Sequence, residues 1–413
     1  QIHEGTLANN PFLRLLDQKL EQSYRRPDGP MDPAPTLDSA ICPRTDEMTS
    51  FLKARPHAGM PYNLPLISRE EYWTLHDWLQ RVQKGDALPL NDIRQERANL
   101  SLDRKRILRS IERFFNGPNL KDRLVARYLY EHLFMAHIQL KEGDTQYFRL
   151  VRSRTACEKA IDEIATRRPN EDPGGSVHYC LRPLLQTVVE KTHLPYLLDE
   201  AKLQWLETNF FSRPWKVTEF PSYDLASSAN PFKTFKSIPV IARYRFLLED
   251  SAYHVATFIK GPVCNGTGAV SSIDEQFFVY FMDPQSDLLV KSPDFESRSE
   301  SLLAIPAEKG SDGSVQDLVS YMKLYPPLRN QYRFERYNTM KQVYPKGLSL
   351  QNLWDGNGQN PNAALTVFRH DTNAYVLQGL RGGVARSAFV LDYALFERLV
   401  YNLVVGFDVY GNL

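Results

Sequence analysis

Residues 120–140, LKDRLVARYLYEHLFMAHIQL, carry the clearest helical pattern of the chain and set the fold class of its body. Apolar side chains recur there at helical spacing and form a broad face. They are Leu124, Tyr128, Leu129, Leu133, Phe134 and Ala136. The pattern predicts one long buried helix over residues 120–140. A break at residues 116–118, Asn-Gly-Pro, separates it from a helical stretch that begins near residue 91.

The segments that follow Gly143 have a different pattern, in which apolar and polar residues alternate as they do in strands. The predicted strands are 147–154, 242–248, 254–259 and 277–281. Residues 365–370 and 374–377 flank a short link and predict an antiparallel hairpin. An apolar helix is expected over 391–405. Together these elements predict an α+β fold, with a helical N-terminal part before a mixed α/β body that contains antiparallel strands.

A short motif near the N-terminus points to a cofactor. Ser68 and Glu71 form the Ser-x-x-Glu capping box of a helix with recurring aromatic residues. Gly59-Met60-Pro61-Tyr62 precedes this helix. In c-type cytochromes a Met-Pro loop of this kind supplies a thioether ligand to haem iron. Met60 is therefore the candidate metal ligand, although a core methionine followed by a turn explains the same residues.

Composition narrows the classes of function. Lys plus Arg number 50 and Asp plus Glu 49, so no overall charge favours nucleic acid. No run of 18 apolar residues exists, so no transmembrane segment is expected. Cys42, Cys157, Cys180 and Cys264 have no C-x-x-C spacing, and we expect four buried thiols.

Several longer strings resemble one family, the bacterial fatty-acid cis/trans isomerases. The strings are CPRT at 42–45, HAGMPYNLP at 57–65, RYLYEHLF at 127–134, FRLVRSRT at 148–155, IDEIATRRP at 161–169, TFIKGPVC at 257–264 and GFDVYGN at 406–412. The resemblance implies a periplasmic enzyme that converts cis double bonds of membrane acyl chains to trans with a c-type haem. It also implies that residues 1–90 are the C-terminal portion of a cytochrome-c-like module with a Pro-rich connection, and that 91–413 form the isomerase body.

Two departures from the family pattern concern activity. The chain lacks the C-x-x-C-H motif that attaches haem c, and it lacks a signal peptide. The family also continues beyond the position of Leu413. We therefore expect this chain by itself to carry no covalent haem and to be inactive, with Met60 beside an empty or collapsed pocket.

The resemblance and the residue chemistry together nominate site residues. His132, His137 and Arg154 are the candidate catalytic residues, while Met60, Tyr62, Arg152 and Arg167 are the candidates for binding haem or lipid phosphate. The alternative for both histidines is a hydrogen-bonded packing role. Their spacing of five residues turns a helix by roughly 140° and disfavours a shared zinc ion. For the arginines, the alternative is ion pairing with Asp162 and Glu163.

Three functions are compatible with these features. The first is an isomerase acting on phospholipid acyl chains or free unsaturated fatty acids. The second is a non-catalytic lipid- or partner-binding module with a vestigial cytochrome segment, and the third an electron-transfer cytochrome fused to another domain. Peripheral membrane contact would need a local apolar patch. The candidate is the final helix, with Leu395, Phe396, Leu399, Val400 and Leu403.

Overall fold

The computed structural model describes residues 11–22, 49–50, 53, 68–83, 97, 99–185, 188, 193–259, 276–305, 315–370, 373–385 and 387–406. The described residues fall into two compact units, one that ends at residue 97 and one that extends from residue 99 to residue 406. Met60 and Tyr62 lie outside the described residues. The predicted division into 1–90 and 91–413 stays a prediction.

The first unit contains two described helices, α1 (Pro11–Gln22) and α2 (Arg69–Gln83). The capping box is confirmed: the Glu71 amide donates to Ser68 Oγ at 3.1 Å, and the Ser68 amide donates to Glu71 Oε2 at 2.6 Å. Leu13 and Leu16 of α1 pack with Leu79 of α2 in a small core. These two helices do not establish the cytochrome-like module, which remains a prediction.

The second unit is an α+β body, as predicted. Its helices are α3 (Leu102–Phe115), α4 (Leu120–Leu133), α5 (Glu200–Phe211), α6 (Leu225–Ser228), α7 (Pro231–Thr234), α8 (Val240–Glu249), α9 (Ser251–Ile259), α10 (Leu288–Lys291), α11 (Pro293–Ser299), α12 (Val315–Val343) and α13 (Tyr393–Gly406). Its apolar core joins α4, α8, α9 and α13.

Two four-stranded sheets complete this unit. The first contains β1 (His137–Gln139), β2 (Phe148–Ser153), β3 (His178–Pro183) and β4 (Pro195–Leu197) in the order β3-β2-β1-β4. The second contains β5 (Gln276–Phe281), β6 (Ala364–His370), β7 (Asn373–Gln378) and β8 (Ser387–Leu391) in the order β7-β6-β5-β8. The predicted hairpin is confirmed as the antiparallel β6–β7 pair, and β5 pairs in parallel with β8.

Two predicted strands are helices, and one predicted helix is too long. Residues 242–248 and 254–259 lie in α8 and α9. Helix α8 is buried on most of its surface, so its apolar residues show no period that separates helix from strand. Helix α4 ends at Leu133 because the chain then enters β1, where residues 137–139 pair with β4. Tertiary pairing decided that boundary.

The cysteine prediction was wrong for two of the four residues. Cys157 and Cys180 form a disulfide with a Cα–Cα distance of 5.4 Å. It connects the loop after β2 with β3, inside a small core that includes Val151. Cys42 and Cys264 lie outside the described residues.

The candidate membrane face of the final helix is mostly core. Phe396, Val400 and Leu403 of α13 are buried, and Leu395 is the exposed member of the predicted set. In the part of the chain that the structure describes, we find no helix with the length and apolarity to cross a bilayer.

Candidate functional site

Polar and charged side chains cross the core of the second unit between α4 and α13. We call this group the buried polar network. It comprises Arg127, Tyr128, Glu131 and His132 of α4 with Glu397 and Tyr401 of α13, all at most 2% exposed. Charged side chains of this kind are rarely buried unless they are paired. Their pairing therefore fixes how the two helices meet.

His132 and Glu397 form the centre of this network. His132 Nε2 lies 2.8 Å from Glu397 Oε1, and its Nδ1 lies 2.7 Å from the carbonyl oxygen of Tyr128. The Tyr128 hydroxyl donates to Glu397 Oε2 at 3.0 Å. The imidazole ring is therefore held from both sides, by a carboxylate and by a backbone carbonyl. The arrangement is a buried imidazole–carboxylate pair with a phenol as a further donor to the carboxylate.

The charge state of Glu397 follows from its neighbours. Burial alone would raise the pKa of this carboxyl. The positive charges of His132 and Arg243, with the hydrogen bonds from His132 and Tyr128, outweigh burial and hold the pKa below its ordinary value. Glu397 is therefore ionised at neutral pH and anchors the imidazole of His132 and the hydroxyl of Tyr128.

The second half of the network joins Arg127, Glu131 and Tyr401. Arg127 Nε donates to Glu131 Oε1 at 2.8 Å, and the Tyr401 hydroxyl lies 2.6 Å from Glu131 Oε2. Tyr401 is also 2.7 Å from the carbonyl of Ser228. Arg127 Nη1 donates to the carbonyl of Pro221 at 2.8 Å. The Arg127–Glu131 ion pair is therefore tied to α13 through Tyr401 and to the segment 221–222 through Arg127.

His254 of α9 differs from His132 because its ring is buried without polar contacts. It is fully buried, and neither ring nitrogen has a hydrogen-bond partner among the described residues. Its ring centroid lies 5.1 Å from that of Phe246, 5.0 Å from Tyr253 and 6.2 Å from Phe396. Burial, with the charges of His132 and Lys202, lowers its pKa well below the ordinary value. It is a neutral imidazole surrounded by aromatic side chains, with neither nitrogen hydrogen-bonded among the described residues.

We expect His254→Phe to raise the free energy of unfolding by about 1–3 kcal/mol, because the substitution removes buried polar atoms that no described group satisfies. The unfolded chain protonates His254 near its ordinary pKa, but the folded chain does not. Wild-type stability is therefore lost as the pH falls below that value. The advantage of His254→Phe should grow between pH 7 and pH 5 in urea titrations. A variant less stable than wild type at both pH values would contradict this reasoning.

The predicted histidines do not form one site. His132 lies in α4 and is engaged on both nitrogens, while His137 lies in β1. The Leu194 amide donates to His137 Nδ1 at 3.2 Å, which places the proton of the neutral ring on Nε2. Burial, with the charges of His193 and Arg149, lowers the pKa of His137 to about 4. Both residues have the hydrogen-bonded packing contacts of the alternative interpretation.

The predicted arginines are also separated. Arg152 is buried, with Nη1 donating to the carbonyl of Glu171 at 2.8 Å and its guanidinium 5.0 Å from the centroid of Tyr130. Arg154 is exposed and pairs with Asp162 at 3.1 Å, the ion pair named as its alternative. Arg167 is exposed as well. Arg152 thus lies in the interior, whereas Arg154 and Arg167 lie at the surface.

The predicted haem pocket stays a prediction, because its main residues lie outside the part of the chain that the structure describes. Met60 and Tyr62 are those residues, while Arg152 is committed to other partners and the ring nitrogens of His132 are both hydrogen-bonded. One group among the described residues has metal-ligand spacing, namely Glu112, Cys157 and Cys180, but its two sulfurs are bonded to each other.

Sequence reasoning missed three residues of this region. Glu397 and Tyr401 were assigned only to an apolar final helix, and His254 to a strand. Two acidic or phenolic groups on the apolar face of α13 were the available signal, since such positions need partners. No pattern in the sequence could show that His254 would lack one.

Comparison with known proteins adds the family. The family model described as fatty acid cis/trans isomerase matches residues 2–413. No curated protein and no solved structure gave a significant match. Because the match extends over essentially the whole chain, including both described units, the chain belongs to the fatty acid cis/trans isomerase family.

Proposed function

We propose that this protein isomerises cis double bonds to trans in unsaturated fatty acyl chains of membrane phospholipids, and that it works in the periplasm. The family match over 2–413 carries the proposal, because the family implies fatty acid cis/trans isomerase activity. The Cys157–Cys180 disulfide supports the compartment, since such bonds persist in oxidising surroundings.

The proposed cofactor is a c-type haem, which would supply an electrophilic iron to weaken the double bond. Met60 remains the proposed thioether ligand, with Tyr62 as a proposed contact; the contacts of Arg152 with other residues do not favour the haem role that was predicted for it. Met60→Ala in a protein that contains a C-x-x-C-H segment tests this directly. A changed haem absorption spectrum supports ligation, and an unchanged spectrum removes Met60 as a ligand.

Among the described histidines, we propose His254 as the one that acts in the reaction. His132 is already hydrogen-bonded to Tyr128 and Glu397, and it acts as a positioning residue that holds α4 against α13. His254 has no hydrogen-bond partner among the described residues and is surrounded by apolar and aromatic side chains, so contact with an acyl chain would require the packing around it to open. The proposed catalytic roles of His137 and Arg154 rest on the family resemblance alone.

The experiment is expression in a bacterial host that makes no trans fatty acids, followed by gas chromatography of the fatty acid methyl esters. We expect trans isomers with the haem-containing parent protein, and their loss in His254→Phe, although that variant should be at least as stable as wild type. Glu207→Ala, which changes an exposed residue of α5, is the matched control. Repeated absence of trans isomers from the folded, haem-loaded parent would contradict the proposed function. Unchanged activity in His254→Phe would exclude His254 alone.

A further inference from the structure

The sheet of β5–β8 has one buried face and one open face. Residues directly opposite each other on paired strands point to the same side of a sheet. Phe277, Val279, Leu365 and Val367 are buried on the inner face. The apolar residues of the outer face are all at least partly exposed, and they are Phe278, Tyr280, Phe368, Tyr375, Leu377 and Val390. An open apolar area of this kind marks an interaction surface.

A loop over residues 379–385, which we call the outer loop, crosses this open face. The Thr366 hydroxyl donates to the carbonyl of Gly379 at 2.7 Å and accepts from the Arg381 amide at 2.8 Å. Gln276 Nε2 donates to the carbonyls of Arg381 and Gly383 at 2.6 and 2.8 Å. Gly382 has φ +77°, and a Cβ there would lie 3.0 Å from the Phe368 ring. The loop is therefore fixed closely against the sheet.

This fixed loop presents two aliphatic side chains to solvent. Leu380 is 53% exposed and Val384 is 98% exposed. Hydrogen bonds to β5 and β6 hold the loop, so these two side chains are exposed on an ordered segment. Burying such exposed apolar side chains against an apolar partner lowers the free energy, because their surface is removed from water.

The charge of the outer loop and of the strands around it indicates which kind of surface would cover them. Between Ala364 and Leu391 the sequence contains three arginines but a single acid, Asp371, and strand β5 adds no charge. Arg381 is the arginine that lies on the outer loop itself, between Leu380 and Val384. A basic residue next to exposed aliphatic and tyrosine side chains is the composition that binds at the boundary between anionic headgroups and acyl chains.

We propose that the outer loop and the open face of the β5–β8 sheet dock on an anionic phospholipid surface, with Leu380 and Val384 inserted among the acyl chains and Arg381 beside the phosphates. This inference rests on the proposed function, because it identifies the surface through which the protein reaches its lipid substrate. It replaces the final helix, whose apolar residues are mostly buried, as the membrane-facing element.

Vesicle co-sedimentation of the 413-residue chain tests the proposal. We expect binding to vesicles that combine phosphatidylcholine with phosphatidylglycerol, weaker binding to phosphatidylcholine alone, and a decrease with added salt. The double variant Leu380→Ser/Val384→Ser should bind about tenfold or more weakly, because two inserted apolar groups are lost. Arg381→Gln should reduce the preference for the anionic vesicles.

Leu350→Ser is the matched control. Leu350 is 84% exposed, but it lies next to the segment that pairs with the far end of β5, away from the outer loop. This variant should bind as wild type does, and circular dichroism should show that all variants remain folded.

Two binding results would overturn the proposal: no binding of the wild-type chain to anionic vesicles, or equal binding by the folded double variant. A third is that the wild-type chain forms a dimer, the double variant does not, and neither binds vesicles. None of these measurements depends on isomerisation. Trans product formed by a parent protein whose double variant binds normally would refute the docking surface and leave the proposed function intact. Binding that requires the loop, without trans product, would refute the function alone.

Discussion

Glu397→Ala should lower the free energy of unfolding by about 3–5 kcal/mol, measured by urea denaturation at pH 7. The substitution removes the acceptor of both His132 Nε2 and the Tyr128 hydroxyl, which are 2.8 and 3.0 Å from the carboxylate. Two buried polar groups are then left without their partner, and that loss is more costly than the loss of an exposed pair.

The control for this variant is Glu207→Ala, which removes an exposed carboxylate from a helix and should change stability by less than about 0.5 kcal/mol. The double variant His132→Leu/Glu397→Leu should cost less than the sum of the two single Leu variants, because it removes both partners together. Additive costs would show that the two side chains act independently and would contradict the pairing.

The pH dependence of the same contact has a defined sign. Since the pKa of Glu397 is lowered in the folded chain, its stabilising contribution is present above the ordinary pKa of a glutamate and is lost as the pH falls through the folded value. The difference between wild type and Glu397→Ala should therefore shrink in acid.

Loss of the Cys157–Cys180 disulfide should have the second largest effect, about 3 kcal/mol. The bond closes a loop with a sequence separation of 23 residues, and removing that constraint increases the entropy of the unfolded chain. Reduction of the wild-type protein and the variant Cys157→Ser/Cys180→Ser should lower the unfolding midpoint by similar amounts.

The double serine variant is also the control for the reduction experiment. Because it lacks this disulfide, a reducing agent should not change its unfolding midpoint. Non-reducing peptide mapping of protein exported to an oxidising compartment should recover the 157–180 cross-link. Alkylation of Cys157 in that folded material would contradict the assignment.

Local chemistry determined several elements in advance. The Ser68–Glu71 capping box, the hairpin of β6 and β7 and the apolar helix α13 were all predictable, because each depends on residues close together in sequence. The α+β class and the family were likewise predictable from patterns and strings. The prediction was wrong for α8 and α9, where burial on most sides removes the period that separates a helix from a strand.

The candidate site depended on contacts between distant segments. Glu397 meets His132 across 265 positions, and Tyr401 meets Glu131 across 270. No local signal specifies such pairs, because they exist only when α4 and α13 pack together. The same holds for His254, because only the folded chain shows that its ring nitrogens have no hydrogen-bond partner among the described residues.

The sequence by itself therefore determined the helical pattern of residues 120–133, the class of the fold and the family, since periodicity and composition act over short distances. The tertiary structure alone decided that α4 ends at Leu133, that residues 137–139 join a sheet, and that Cys157 reaches Cys180. It also turned the α4 residues Arg127, Tyr128, Glu131 and His132 into a paired network. The physical reason is that a buried polar group is stable only where another segment supplies its partner, and the fold brings that partner from far along the chain.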